Sequence, residues 1–140
     1  MMRLLAMVVS ATFGLSGCAN PVDDMLSGRF SETKAVPVDD AMTGTWTGSM
    51  SASLLTLRIG KDGTGLYCYS LNETNALGRL KFDGQGLVFQ SSTTASVREV
   101  RPDAMVIRAD YTFSKDAILR PDESLTKASP YCANAIQGAQ

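Results

Sequence analysis

The chain of 140 residues contains no histidine. Its absence removes the usual general base near neutral pH, the commonest zinc ligand and any Ser-His or Cys-His catalytic pair. A charge surplus is also missing, because 13 Lys and Arg face 14 Asp and Glu. The chain therefore offers no basic field for nucleic acid and no acidic tail. No Gly-x-Ser-x-Gly or Ser-x-x-Lys motif occurs among its serines, so two familiar acyl-transfer sites are ruled out. The glycine-rich stretch Gly60–Gly65 joins two strand-like runs instead of opening a helix, which argues against a phosphate cradle. Glu99, Asp110, Asp116, Asp122 and Glu123 supply carboxylates, but no spacing among them marks an acid–base pair. Nothing in the residues calls for catalysis, a cofactor or a metal.

What is present begins at the N-terminus. Met1-Met2-Arg3 precedes an uncharged run from Leu4 to Leu15 and then Ser16-Gly17-Cys18. A positive start, a short apolar stretch and small residues at the cut describe a secretory signal over residues 1–17. The apolar run is shorter than the about 20 residues needed to span a bilayer. Leu15-Ser16-Gly17-Cys18 resembles the lipobox of bacterial lipoproteins. That resemblance implies cleavage before Cys18 and acylation of its thiol and new amino group. Two or three acyl chains suffice for stable anchoring, since each buried CH₂ contributes about 0.8 kcal/mol. By the same resemblance, Ala19 in place of Asp after the cysteine implies sorting to the outer membrane, with the periplasmic face favoured over the cell surface.

With Cys18 committed to lipid, Cys68 and Cys132 remain, 64 residues apart. In an oxidising compartment two such cysteines are expected to form a disulfide. They make a poor metal site without histidine, because zinc wants four ligands. The bridge is expected to pin the C-terminal tail onto the second strand.

Residues 18–43 read as the lipidated cysteine and a flexible tether. They hold Pro21, Pro37, four Asp and few large apolar residues, a composition that buries little surface. Pro21-Val22-Asp23-Asp24 recurs as Pro37-Val38-Asp39-Asp40; the second copy could open one helical turn, with Asp at its N-terminal end.

Residues 44–140 punctuate themselves as strands. Runs at Thr45–Met50, Leu54–Ile59, Thr64–Leu71, Leu77–Phe82, Gly86–Gln90, Ala95–Arg101 and Ala104–Ser114 are separated by turn-forming residues. Asp62-Gly63 and Asp83-Gly84 are strong hairpin signals, because their turns need positive φ. In the last run Met105, Ile107, Ala109, Tyr111 and Phe113 alternate with more polar residues, as in a strand with one buried face. No sustained helical period is seen. The reading is all-β: a small antiparallel up-and-down meander forming a closed or partly open barrel of about 7–8 strands, with a β-sandwich as the alternative.

Gly44-Thr45-Trp46-Thr47-Gly48 resembles the Gly-x-Trp opening of lipocalin-like barrels, which implies that Trp46 closes a barrel floor. Together with the lipobox and Asp62-Gly63-Thr64-Gly65-Leu66-Tyr67-Cys68-Tyr69-Ser70, the chain resembles a group of small Gram-negative lipoproteins of unknown function. Tyr67 and Tyr69 flank Cys68. If the cysteine points inward beside Leu66, both rings lie outside, where paired aromatics could anchor a partner or cover neighbouring strands. Trp46 is either a core residue or a contact.

The functional expectation is a non-enzymatic envelope module. It would be membrane-bound through its lipid and bind an envelope protein or cell-wall component. Two alternatives stay open. One is a protein similar to membrane-bound lysozyme inhibitors, although their Ser-Gly-x-x-Tyr loop has no counterpart here. The other is a carrier of a small apolar ligand, as lipocalin resemblance implies.

Overall fold

The structure is a computed structural model and describes residues 28–139. The signal segment, Cys18 and the start of the tether lie outside the described residues. Among the described residues no helix is long and apolar enough to cross a membrane.

Eight strands follow one another: β1 (Gly44–Met50), β2 (Ser53–Ile59), β3 (Thr64–Leu71) and β4 (Thr74–Phe82), then β5 (Gly86–Phe89), β6 (Thr94–Arg101), β7 (Ala104–Ala109) and β8 (Asp116–Pro121). Each pairs antiparallel with its successor, and β8 returns to β1 through Trp46↔Pro121 and Thr47↔Arg120. The result is a closed barrel, as expected from the alternation and the short turns. Closure leaves no strand edge to pair with another chain.

Side-chain parity fixes the interior. On β2, Leu55, Leu57 and Ile59 point inward, and they meet Leu80, Leu87, Met105, Ile107 and Leu119 from the other strands in one buried cluster. A Cβ on Gly48 would collide with the Ile118 carbonyl. The glycine therefore lets β8 lie close against β1 at the seam.

One expectation about strand limits is corrected. The run Ala104–Ser114 is not one strand, because β7 stops at Ala109. The Asp110 amide donates to the Thr94 carbonyl, and its carboxylate takes the hydroxyls of Thr94 and Ser96. Ser114 Oγ then donates back to the Ala109 carbonyl and closes a loop. Tyr111 and Phe113 consequently stand 51 % and 96 % exposed, not on a buried face. The eighth strand begins at Asp116, with Ala117 and Leu119 buried.

The C-terminal segment contains a helix where no helical period was seen. Helix α1 (Pro130–Gly138) has Pro at its start and Ser129 as its N-cap, whose hydroxyl accepts from Cys132 N at 3.1 Å. These are start signals. Only Cys132 and Ile136 of the helix are buried, which is too sparse a stripe for periodicity to reveal.

Residues 28–43 are not a flexible tether but a strap held on the barrel, a correction to the expected tether over residues 18–43. Phe30 is buried beneath Lys81, whose ammonium lies 4.4 Å from the ring centroid and donates to the carbonyls of Phe30 and Thr33 at 2.9 and 3.1 Å. Val36 N donates to Phe82 O at 2.8 Å and Val38 N to Lys61 O at 3.0 Å. Asp39 then opens a single turn that accepts from Met42 N and Thr43 N. Residues 28–32 of it are helical, and apolar side chains at irregular spacing hold the whole piece down, so low hydrophobicity alone misreads it.

Candidate functional site

Strand direction gives the barrel two unlike ends. One, the floor, carries the turns at 60–63, 83–85 and 102–103 together with the strap. Trp46 lies there, 4 % exposed, and its indole N–H donates to the Met42 carbonyl at 3.1 Å. It belongs to the buried core cluster and also borders a shallow hollow with Thr43, Pro102 and Pro121.

The other end, the mouth, carries the turns at 51–52, 72–73, 90–93 and 110–115. Below it a cleft of about 70 Å³ is lined by Met50, Leu55, Tyr67, Tyr69, Phe89, Ser91 and Thr93. Its lining is apolar apart from the tyrosine, serine and threonine hydroxyls. Larger, open hollows lie elsewhere. One of about 420 Å³ runs past Phe30, Leu66 and Lys81, and one of about 570 Å³ passes Pro37, Met42 and Val100 at the floor.

Tyr67 and Tyr69 point into the barrel, the reverse of the orientation that would put their rings outside. Tyr67 is 7 % exposed and meets Phe89 edge to face, with centroids 5.1 Å apart and planes at 82°. Its ring lies across Gly78 on β4, where a Cβ would collide with it. Tyr69 is half-buried at the cleft. The reason for the reversal is Cys68. The interior is filled, so its sulfur turns outward to reach α1, and strand alternation sends both neighbours in. Leu66 faces outward with it.

Cys68 and Cys132 are joined, with S–S 2.01 Å and Cα–Cα 5.6 Å, within the usual range for a disulfide. The strand so pinned is β3, the third, and what it holds is a helix. Ser70 Oγ lies 2.6 Å from Ser129 Oγ at the helix start, and Arg58 donates to Ile136 O at 3.3 Å near its end. Helix α1 thus runs down the outer wall from the mouth toward the floor.

The five carboxylates noted in the sequence are each tied to a donor. Asp122, 2 % exposed, accepts from Thr47 Oγ1 at 2.8 Å and from the amides of Lys127 and Ala128 at 3.0 Å each. Thr47 also meets Thr56 at 2.9 Å, so this buried network fastens the C-terminal segment to β1 and β2. Glu123 receives Thr45 N at 2.8 Å, and Asp116 receives Arg108 at 2.7 Å. Asp110 organises the loop described above, and Glu99 pairs with Arg101 at 3.6 Å on the surface. These are fastenings and surface pairs. Among the described residues no cluster of acidic or cysteine side chains could hold a metal ion.

The mouth is therefore the place where an apolar cleft and exposed aromatic residues coincide. Sequence reasoning missed Phe113 as a surface residue, since its alternation with Tyr111 looked buried. The signal available was Asp110 followed by Ser114 and Lys115, polar residues suited to a turn.

Comparison with known proteins assigns the chain further. Among solved structures it is similar to the lipoprotein YedD of Klebsiella pneumoniae subsp. pneumoniae MGH 78578. That match has a TM-score of 0.53 at 23 % identity, covering 79 % of this chain and 93 % of that one. This likeness shows the shared fold. A Streptococcus pneumoniae chain named among lipoproteins matches with a TM-score of 0.49 at 19 % identity, over 64 % of this chain and 99 % of its own; that score adds nothing to the fold assignment. No curated protein matches. A family model described as "Bacterial lipocalin LPS transport optimiser YedD" matches residues 27–136, which include the strap, all eight strands and most of α1. The chain belongs to the YedD family.

Proposed function

We propose that this chain is a lipid-anchored, non-enzymatic envelope protein whose barrel acts as an interaction module supporting lipopolysaccharide transport. The observation that carries the reading is the family match, which covers the strap and the whole barrel and whose description names that role. The filled interior favours a module over a carrier. Its cleft of about 70 Å³ is well below the roughly 300–1,000 Å³ of ordinary ligand pockets. Membership in a lipocalin family thus points to the barrel as a scaffold.

Cys18 is the proposed lipid attachment, with the outer membrane as destination and the periplasmic face as orientation. The partner is an envelope protein, with a cell-wall component as the alternative. The test is deletion of the gene in the native bacterium, followed by measurement of newly made lipopolysaccharide reaching the cell surface. Deletion is expected to slow its arrival. The full chain should restore the rate, and Cys18→Ala should fail to do so while losing palmitate labelling. An unchanged arrival rate after deletion sinks the transport role. Undiminished labelling of Cys18→Ala sinks the anchor.

A further inference from the structure

The hollow of about 420 Å³ lies away from the mouth, against the β3–β4 ladder. In that ladder Leu66 pairs with Arg79 and Thr64 with Lys81. Leu80, between the two cations, is 1 % exposed in the core, so strand alternation turns Arg79 and Lys81 outward beside Leu66. Phe30 of the strap and Ala139 just after α1 complete the lining.

Two cations line this hollow and no carboxylate does. Among the described residues the ion pairs involve Lys61, Arg101, Arg108 and Arg120, and neither Arg79 nor Lys81. The Lys81 ammonium meets the Phe30 ring and the carbonyls of Phe30 and Thr33, dipoles that leave its charge uncompensated. Arg79 is exposed, and its planar fork of donors suits phosphate. The surroundings keep the surplus positive. Lys34 and Glu32 flank Thr33, Arg58 pairs with Leu66, and Asp62 holds Thr64, while Arg29 and Asp83 share a separate hollow.

The rest of the lining is mostly apolar, with Leu66 and Phe30 its large side chains. An inorganic anion would use the cations and leave that surface bare, and a neutral lipid would do the reverse. A phosphate-bearing lipid answers both. The volume of about 420 Å³ falls in the roughly 300–1,000 Å³ range of ligand pockets. Gly28, two residues before Phe30, follows Cys18 by ten residues, so an acylated Cys18 would hold this wall within about 35 Å of a membrane.

We propose that this hollow binds the headgroup of an anionic, phosphate-bearing lipid. Arg79 and Lys81 take the phosphate, and Leu66 and Phe30 pack against the first methylenes of the acyl chains. The site goes beyond the transport role and borrows from the proposed anchor only the nearness of lipid. The test titrates the full chain, purified in neutral-detergent micelles, with dihexanoyl phosphatidate and follows amide NMR shifts. Dihexanoyl phosphatidylcholine and inorganic phosphate are the controls. Phosphatidate should bind one to one and shift Leu66, Lys81 and Ala139 most, with both controls weaker by about tenfold or more. Arg79→Gln should weaken phosphatidate by about tenfold and leave the melting temperature unchanged. Leu66→Asn should erase the preference for phosphatidate over inorganic phosphate.

No binding, equal affinity for either control, shifts centred away from the hollow, or indifference to Arg79→Gln would each overturn the proposal. Binding that appears only with Asp23→Asn and Asp24→Asn together would overturn it too, because the chain's own carboxylates would then be the occupant. The titration is read on purified protein, so an unchanged lipopolysaccharide arrival removes the transport role and leaves the lipid site standing.

Discussion

Tyr67 keeps its place because Gly78 has no side chain. The ring fills the space a Cβ would take, and its edge contact with Phe89 completes the cleft floor. Gly78→Ala should therefore push the ring off its bed and destabilise the barrel by about 1–3 kcal/mol, read as a lower urea midpoint with unchanged slope. A second residue-scale effect belongs to Asp62. Its carboxylate accepts from the Thr64 amide at 2.9 Å and the Thr64 hydroxyl at 2.8 Å. Those two bonds hold its pKa below the ordinary carboxylate value, the amide contributing most. The unfolded chain then binds the proton more readily, so this stabilisation is present above about pH 4 and lost as pH falls through the lowered pKa. Asp62→Asn should flatten the acid limb of a stability–pH curve without moving the plateau by more than a small amount, because the site is exposed.

Elements tell which parts of the fold were legible. The hairpin strands could be read because a two-residue period and Asp-Gly turns are local signals, and Leu55, Leu57 and Ile59 obey them. Helix α1 could not, because a disulfide and one buried isoleucine do the holding that an apolar stripe does elsewhere. Cys132→Ser is accordingly expected to cost about 4 kcal/mol in the chain-entropy model for a loop of this length. Hydrogen exchange should show the helix amides losing protection first, with β5–β7 least affected. The strap was hidden for a related reason. Phe30, Val36, Val38 and Met42 reach separate sites on the barrel, so their spacing has no period. Phe30→Ala should cost about 3 kcal/mol and expose the Val36 and Val38 amides to exchange while the strand ladders stay protected. The facing of Tyr67 and Tyr69 was undecidable locally, since it depends on which side of the sheet Cys132 occupies.

At the scale of the whole molecule, closure is the dominant constraint. β1 must find β8 across nearly the whole barrel sequence, through Trp46↔Pro121. Non-local pairing of this kind folds in roughly milliseconds to seconds. The single tryptophan sits at that junction, so stopped-flow refolding followed by Trp46 fluorescence should show its main change in that time range, with no larger submillisecond step. The same global organisation separates tasks between the ends. The floor receives the strap, and the mouth is left open.

The strap also has a mechanical consequence. A pull on the N-terminus reaches the contacts of Phe30 with Lys81 first, then the Val36–Phe82 bond, then the Val38–Lys61 bond, and only afterwards β1. These attachments load one after another, so they peel at low force, whereas the barrel ladder beyond them shares its load across many bonds. The strap is thus a fuse in series with the domain. Tension applied there would free the stretch from Phe30 to Val38 before it could distort the fold.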